Sequence, residues 1–504
     1  MENEKQSQSA EGTAARDGRD ASDDVPTASK LVRLIRDSNP VFFADPTGEA
    51  YVRVLSGGIW QVHGVRSKSF KELLQRRYWD YYLRTASAAA IDAAVETLAG
   101  EAKFGGGEPQ PVHVRVAGEE GAVYVDLGDP AWQVVRITRD GWEVLAKPPV
   151  MFRRPAGYGS LPIPNAGGSL SSLGEFLNAR DEEHLKLLVG FLIGAFNPKG
   201  PYPVLELTGQ QGSAKSTASR FLKSLIDPAH VGTRAPARNE QDLAIAAHNG
   251  WLLAFDNMSN LTGAMSDAIC RMTSGGGWSG RKLYTNDEEQ LFNFMRPVIL
   301  NGINGIATRA DLLERTISIE LAQITAARRR PESELLAQFE LAKPYLLGAL
   351  FDAVASALRN LGGLPNYEWP RLADFARWVT ASESTIGWRP GTFVDLMRKN
   401  RVRSSERALD EYDGIVEELF AVIGSSPSSR SSISWKGTAT ELLKLLQQRD
   451  IGWLPKSANK LSELLHRLQP ALRDAGVKVQ IGRNRGSRHI VLSILQEPDM
   501  KTVA

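Results

Sequence analysis

An α/β core built on a parallel sheet is predicted by three short apolar runs, each ending in polar residues. Residues 204–208 lead into Gly209-Gln210-Gln211-Gly212-Ser213-Ala214 and then Lys215-Ser216-Thr217; residues 250–255 end in Asp256 and Asn257; residues 297–300 end in Asn301. Continuous apolar runs of this length fit strands covered by helices on both faces. Ligands of open α/β sheets bind beyond the C-terminal ends of such strands, where these polar residues emerge.

In chain order, residues 1–27 are rich in Glu, Asp, Ser, Gln, Ala and Gly and read as a disordered tail. Residues 28–150 read as an α+β domain. A helix over 29–37 is followed by strands over 40–44 and 50–55 around the turn Asp45-Pro46-Thr47-Gly48, a basic helix over 67–82 and an alanine-rich helix over 88–102. Strand signals then fall at 112–116, 122–127 and 133–138, the last meeting 141–145 through Arg139-Asp140. No catalytic cluster is apparent in this domain. Arg66, Lys68, Lys71, Arg76 and Arg77 suit either nucleic acid or a solvated helix face. Residues 151–200 read as a Pro/Gly-rich linker and a helical collar.

The core is expected over 201–325. Gly209 and Gly212 let the backbone turn several N–H groups onto one anion, and the helix N-terminus behind them adds partial positive charge. Residues Gly209, Gln210, Gln211, Gly212, Ser213, Ala214, Lys215, Ser216 and Thr217 form the expected phosphate cradle, with Lys215 reaching β- and γ-phosphates and Ser216 holding Mg²⁺. The pattern G-x-x-x-x-G-K-[ST] wants glycine where Ala214 stands. Asp256 is expected to share the Mg²⁺ with Ser216. Asn257 stands where many ATPases carry a Glu to activate water, so the general base is open, with Asp287, Glu288 and Glu289 as weak substitutes. Asn301 is suited to orienting a water against the γ-phosphate. Arg315, before the apolar run 316–319, sits where a neighbouring subunit inserts it into this nucleotide site; Arg309 is its rival.

Residues 281–285 and 290–294 flank Asn286-Asp287-Glu288-Glu289 and read as a hairpin. Helical patterns follow over 331–360, 367–386 and 392–423, a lid or extension of the core spanning 326–424, with Arg328-Arg329-Arg330 in the connection. A Ser-rich linker over 425–434 precedes a C-terminal module, 435–504. Helices over 438–449 and 457–475, then two strands around Gly482-Arg483-Asn484-Arg485-Gly486-Ser487-Arg488, describe a winged helix. Lys456, Lys460, Arg467, Arg473, Lys478, Arg483, Arg485, Arg488 and His489 give it a basic side suited to phosphates.

The order of phosphate loop, Asp strand, hairpin, Asn strand and Arg-Thr-Ile strand resembles the superfamily 3 helicases of the AAA+ class, in particular the primase-helicases of phages, plasmids and poxviruses. The resemblance spans roughly residues 180–325, and the C-terminal winged helix is similar to the end of those proteins. It implies a P-loop NTPase fold, with Asn301 as first sensor and Arg315 as arginine finger. It further implies a hairpin projecting into a ring channel, with Arg281 and Lys282 able to touch single-stranded DNA. The acidic tip opposes that contact. The function expected is an ATP- and Mg²⁺-dependent DNA helicase or translocase of mobile-element replication. It would act as a homo-oligomeric ring, a hexamer, with duplex DNA at the winged helix and a separate primase or polymerase. The alternative is a DNA-bound ATPase switch, such as a replication loader or a regulatory or anti-phage component, that does not unwind. A small-molecule kinase is disfavoured, since it needs neither sensor nor finger.

Composition agrees: 504 residues, 42% hydrophobic and 23% charged with a net charge of +2, describe a globular chain of about three domains. The single Cys270 excludes an internal disulfide framework and reads as a small buried hydrophobe in a reducing, cytoplasmic compartment. The histidines lack zinc-ligand spacing. No signal peptide and no membrane span are expected, the best apolar stretch being 187–196.

Overall fold

The computed structural model describes residues 25–259, 261–281, 289–292, 295–303, 305–307, 309–325, 327, 329–410, 412, 414–424, 434–449, 451–484 and 487–495. Contacts divide the chain into two compact units. One comprises Met1–His113, Pro130–Trp132 and Ala146–Arg154; the other comprises Val114–Asp129, Gln133–Leu145 and Pro155–Ala504.

The first unit packs α1 (Thr27–Arg36), α2 (Lys68–Tyr82) and α3 (Ala88–Phe104) on the antiparallel sheet β1 (Val41–Ala44), β2 (Ala50–Ser56), β3 (Ile59–Gly64). Leu31, Ile35, Val52, Val54, Phe70, Leu74 and Leu98 fill its core. Helix α2 starts where Ser67 Oγ accepts the Phe70 N–H, which satisfies one orphan donor of the first turn, and stops at Leu83 in the left-handed region. The basic residues of this region are spent internally. Arg66 pairs with Glu96, Lys71 with Asp92, Arg76 with Asp80, and Lys68 lies 3.7 Å from Glu72. Arg77 donates to Ser38 and to the Leu55 carbonyl. The solvated and paired face describes this helix better than a phosphate-binding one.

A short strand, β4 (Val112–His113), is followed by the meander β5 (Val116–Glu119), β6 (Ala122–Asp126), β7 (Val134–Thr138), β8 (Gly141–Leu145), and then β9 (Met151–Phe152), which pairs in parallel with β4. The sequence reading put all of 28–150 in one domain; the meander instead belongs to the second unit. Val123, Val125, Val135 and Ile137 are part of that unit's central apolar cluster. Arg115, fully buried, places Nε 3.1 Å from Asp227 Oδ1 and donates to the carbonyls of Asp126, Gly159 and Pro228.

The centre of the second unit contains α4 (Glu182–Gly194), β10 (Val204–Thr208), α5 (Lys215–Ile226), α6 (Glu240–Asn249), β11 (Leu253–Met258) and α7 (Gly263–Ser274). The hairpin β12 (Trp278–Arg281), β13 (Glu289–Phe292) follows, then β14 (Val298–Gly302), the short α8 (Ala310–Leu313) and β15 (Thr316–Glu320). The sheet is parallel in the order β11-β14-β10-β15. Strand alternation splits its core. Leu205, Leu207, Ile299, Ile317 and Ile319 join one cluster with α4 and α5, while Val204, Leu253, Val298 and Leu300 join another with α6 and α7. Helix α4, expected as a collar, is a core helix buried without a break from Leu187 to Gly194. The hairpin is displaced toward the N-terminus from its expected runs, and residues 282–288 lie outside the described residues.

Helices α9 (Glu332–Asn360), α10 (Ala373–Thr380) and α11 (Thr392–Asp410) follow. The stretch Glu332–Gly363 is long and apolar enough to cross a bilayer, contrary to the sequence expectation. However, 67% of its apolar window is buried in protein, as in a core helix. The C-terminal module consists of α12 (Ile415–Gly424), β16 (Ser434–Gly437), α13 (Ala439–Gln447), α14 (Ala458–Asp474), β17 (Val477–Asn484) and β18 (Ser487–Ile494), with sheet order β16-β18-β17. Its core joins Leu442, Leu446, Leu461, Leu465 and Leu468 to Ile415 and Leu419. Thus α12, expected as the end of the lid, is the first helix of this module. Helix α13 opens on a capping box in which Thr438 and Glu441 satisfy each other's N–H groups.

Candidate functional site

Strand β10 is fully buried and delivers the chain into the loop 209–214 at its C-terminal end. Gly209 is required by close approach, since a Cβ there would meet Ser213 Oγ at 2.7 Å and the Leu321 carbonyl at 2.8 Å. Gly212 turns with φ +83°, and Ala214, the residue standing where glycine is usual, sits at φ +61°, ψ +32°. It is the N-cap of α5 and provides no side-chain cap. The first N–H groups of α5 therefore keep their capacity to bind an anion. Lys215 Nζ folds back onto the loop, donating to the carbonyls of Gly209 (2.6 Å) and Gln210 (3.0 Å). Desolvation lowers the Lys215 pKa, against the opposing charge of Asp256.

Ser216 Oγ donates to Asp256 Oδ1 at 3.0 Å, which brings the two expected metal ligands together. Asp256 and Asn257 lie where the pairing of β11 with β14 shifts register between Phe255 and Met258, and Asn257 has φ +57°. Such irregularities re-aim side chains beside functional sites. Asn301, 1% exposed, accepts the Asn257 N–H on Oδ1 (2.9 Å) and donates from Nδ2 to Ser219 Oγ (2.8 Å). Its amide thus ties β11 to α5 and fixes the carboxylate strand against the loop. Ser219 was not singled out in the sequence; it lies one helical turn after Ser216, on the face that meets β14.

Among the described residues no group of three or more His, Cys, Asp or Glu could hold a metal. One hydroxyl and one carboxylate of hard oxygen character fit Mg²⁺, which keeps several waters and takes its remaining ligands from phosphate.

Arg315 lies at the opposite end of the sheet from the loop. Its carbonyl accepts the Val204 N–H at the start of β10, and the five residues of the strand put it roughly 13 Å from Thr208. Its side chain is 18% exposed, with Nε 3.5 Å from Asp311. Arg309 pairs with Asp267 at 2.9 Å. Both are thus engaged by carboxylates of α8 and α7, outside the loop. Cys270 is buried, and burial together with the neighbouring Asp311 pushes its thiol up to about 12, so it is inert as a nucleophile.

Two features beside the loop escaped the sequence reading. Glu206, in mid-strand and 3% exposed, accepts N–H groups of Ile306 (2.5 Å) and Ala307 (2.9 Å) and the Ser318 hydroxyl (2.7 Å), which locks the segment after Asn301. Arg407 of α11 reaches Thr208 Oγ1 at 3.4 Å and pairs with Glu320, which also takes Arg180 at 2.6 Å. A cavity of about 340 Å³ opens here, lined in part by Gly209, Gln210, Arg407, Tyr412, Arg467 and Leu468.

The residues expected on DNA separate. Lys460 is exposed on the first turn of α14. Arg467, expected on DNA, instead lines the cavity two turns later and donates to the Tyr412 hydroxyl, because its face of the helix is turned toward α11 and not outward with Lys460. Arg483 and Arg488 are register partners near the end of the β17–β18 ribbon, and Arg281 is opposite Glu289 at the hairpin end. Lys282, Asp287, Glu288 and Arg485 lie outside the described residues.

These elements define an α/β protein in which a glycine-containing turn leads into the uncapped N-terminus of α5, beside a hydroxyl–carboxylate pair. Residues 169–390 match the family model described as actinomycete integrative conjugative element replication protein, and residues 421–501 match the model of the AICE RepA C-terminal domain. The chain is therefore similar to replication proteins of a mobile element across its core and its C-terminal module. Among solved structures it is similar to the apo C-terminal region of NrS-1, at 11% identity over 94% of this chain and 100% of that one, TM-score 0.39. A second, A-form structure of that region gives 10% identity, 92% and 99% coverage and TM-score 0.40. A JCV helicase bound to an acetamide compound gives 13% identity, 43% and 69% coverage and TM-score 0.23. No curated protein matches.

Proposed function

We propose that the protein is an ATP-hydrolysing DNA helicase or translocase that serves replication of a mobile element and works as a homo-oligomeric ring, a hexamer. The observation that carries this reading is the Lys215, Ser216 and Asp256 assembly at the uncapped N-terminus of α5. The family matches supply the replication setting.

The loop N–H groups bind the β- and γ-phosphates, and Lys215 exchanges the Gly209 and Gln210 carbonyls for phosphate oxygens. The new contacts are charge-assisted on both sides and stronger than those released. Ser216 and Asp256 hold Mg²⁺, which neutralises phosphate charge when bound. Asn301 keeps Asp256–Asn257 registered against α5 through Ser219. Asn257 cannot take a proton as a carboxylate does, so it orients the attacking water by hydrogen bonding. Arg315 approaches the γ-phosphate of the adjacent subunit, since its own loop is at the far end of the sheet, and stabilises charge in the transition state. The β12–β13 hairpin contacts single-stranded DNA in the ring channel, with Arg281 and Lys282 as the residues that meet its phosphates. The C-terminal module is read as a winged helix that holds duplex DNA through Lys460 and the ribbon arginines Arg483, Arg485 and Arg488. Priming falls to a separate primase or polymerase.

ATP-dependent strand displacement on forked DNA tests this reading. Displacement that requires ATP and disappears in Lys215→Ala is expected. DNA-stimulated hydrolysis without displacement favours the second reading, an ATPase switch that assembles on DNA as a loader, regulator or anti-phage component. The engagement of Arg467 beside the loop suits that switch, because it gives the DNA module a route to the nucleotide.

A further inference from the structure

Helix α14 has three faces in three environments. Leu461, Leu464, Leu465, Leu468 and Leu472 fill the core of the C-terminal module. Asn459, Lys460, Glu463 and His466 are exposed. Arg467, Ala471 and Asp474, at i, i+4 and i+7, share the remaining face. There Ala471 is 1% exposed, Asp474 takes Arg401 at 3.2 Å and the Ser405 hydroxyl at 2.7 Å from α11, and Arg467 lines the cavity with Gly209 and Gln210. Lys460 and Arg467 are about 10 Å apart along one rigid helix.

The partners of the cavity's charged groups differ in kind. Arg407 is neutralised by Glu320, and the Glu206 carboxylate is saturated by two N–H groups and a hydroxyl. Arg467 instead donates to a neutral acceptor, the Tyr412 hydroxyl, with its guanidinium 5.5 Å from that ring. A guanidinium on a neutral phenol gains when a phosphate oxygen is offered, because bonds with an ionised acceptor are roughly twice as strong.

We propose that Arg467 is a positioning residue through which the C-terminal module reads the nucleotide. A triphosphate on the loop draws Arg467 from Tyr412 toward phosphate, and the exposed half of α14 moves with it, so nucleotide and duplex DNA affect each other's affinity. This inference rests on the reading of 209–217 as a nucleotide site. Coupling between binding sites is reciprocal, so the factor by which a triphosphate changes DNA affinity equals the factor by which DNA changes triphosphate affinity.

The test uses the full chain, a fluorescent non-hydrolysable ATP analogue, the matching ADP analogue and a short duplex. The dissociation constant of each nucleotide is measured with and without saturating duplex, and that of the duplex with and without nucleotide. A reciprocal factor of roughly tenfold is expected for the triphosphate and less for the diphosphate. Arg467→Ala brings the factor to one, Arg467→Lys retains part of it, and Tyr412→Phe, which removes the competing hydroxyl without touching the guanidinium, keeps it. Thermal melting confirms that each variant is folded. Nucleotide and duplex that both bind with a factor of one in the unsubstituted protein overturn the coupling and leave the nucleotide site standing. A protein that binds no nucleotide overturns both. An unchanged factor in folded Arg467→Ala assigns the coupling to another contact and overturns the role of Arg467.

Discussion

Replacing Ala214 by glycine is expected to stabilise the protein and leave the loop's geometry intact. Ala214 holds φ +61°, ψ +32° at the N-cap of α5. A left-handed conformation costs an L-residue roughly 1–2 kcal/mol. Glycine escapes that cost but brings a more flexible unfolded chain, about 0.4–1 kcal/mol in the other direction. At an N-cap glycine is also much preferred over alanine. The balance is a gain of about 0.5–1 kcal/mol, a rise of roughly 1–3 °C in the melting temperature of a unit this large. Differential scanning fluorimetry without nucleotide measures it, with isothermal calorimetry of an ATP analogue alongside. Because the strain is present with and without ligand, affinity should change by less than about threefold, under 0.7 kcal/mol. A melting temperature that falls in Ala214→Gly refutes the claim that this residue carries left-handed strain.

Arg115→Leu removes a guanidinium that is fully buried against Asp227 and three carbonyls, and it should cost about 3–5 kcal/mol, read as a lower urea midpoint; a shift below about 1 kcal/mol contradicts a structural role for the pair. Burial pushes Glu383 up to about 7 despite N–H groups donated by Gly391 and Phe393. The folded protein thus holds this proton longer than the unfolded chain, so the stabilisation is complete below about pH 4.5 and is lost as pH rises toward 7. Melting temperatures from pH 4.5 to 8 should show that loss, with a flatter profile in Glu383→Gln. Arg315→Ala and Lys215→Ala proteins, each inactive alone, should regain partial ATP turnover when mixed, since each supplies what the other lacks at a shared site; mixtures that stay inactive count against a finger acting between subunits.

Much of the core was legible because its signals are local. A strand, a glycine turn and a Lys-Ser helix start are contiguous, and Asp256 and Asn301 mark strand ends that need no distant partner to be recognised. Other features depended on contacts remote in sequence. Assignment of the β5–β8 meander to the second unit follows from packing between segments far apart in sequence, since Val123, Val125, Val135 and Ile137 share one apolar cluster with Phe351 and Val354 of α9. Gly190 and Gly194 lie inside the apolar run 187–196, and nothing local in the sequence says what they face. They are packing slots: a Cβ at Gly190 would lie 2.2 Å from the Phe393 ring, and one at Gly194 2.0 Å from Phe375. Helical spacing identified the basic side of α14 but not that one of its faces meets α11, which is why Arg467 was grouped with the DNA contacts. Asn301 was recognised by position, whereas the commitment of its amide to Asn257 and Ser219 is a tertiary fact.

The central claim is that Lys215, Ser216 and Asp256 form an ATP-hydrolysing site under the influence of DNA. Phosphate release from Mg²⁺-ATP by the full chain, with and without single-stranded DNA, tests it most directly when repeated with Lys215→Ala and Asp256→Ala. The account predicts DNA-stimulated turnover that falls by about 10²-fold or more in both variants, while their melting temperatures remain near that of the unsubstituted protein. Turnover undiminished in Lys215→Ala, or absent from the unsubstituted protein under every nucleotide and DNA condition, would contradict it.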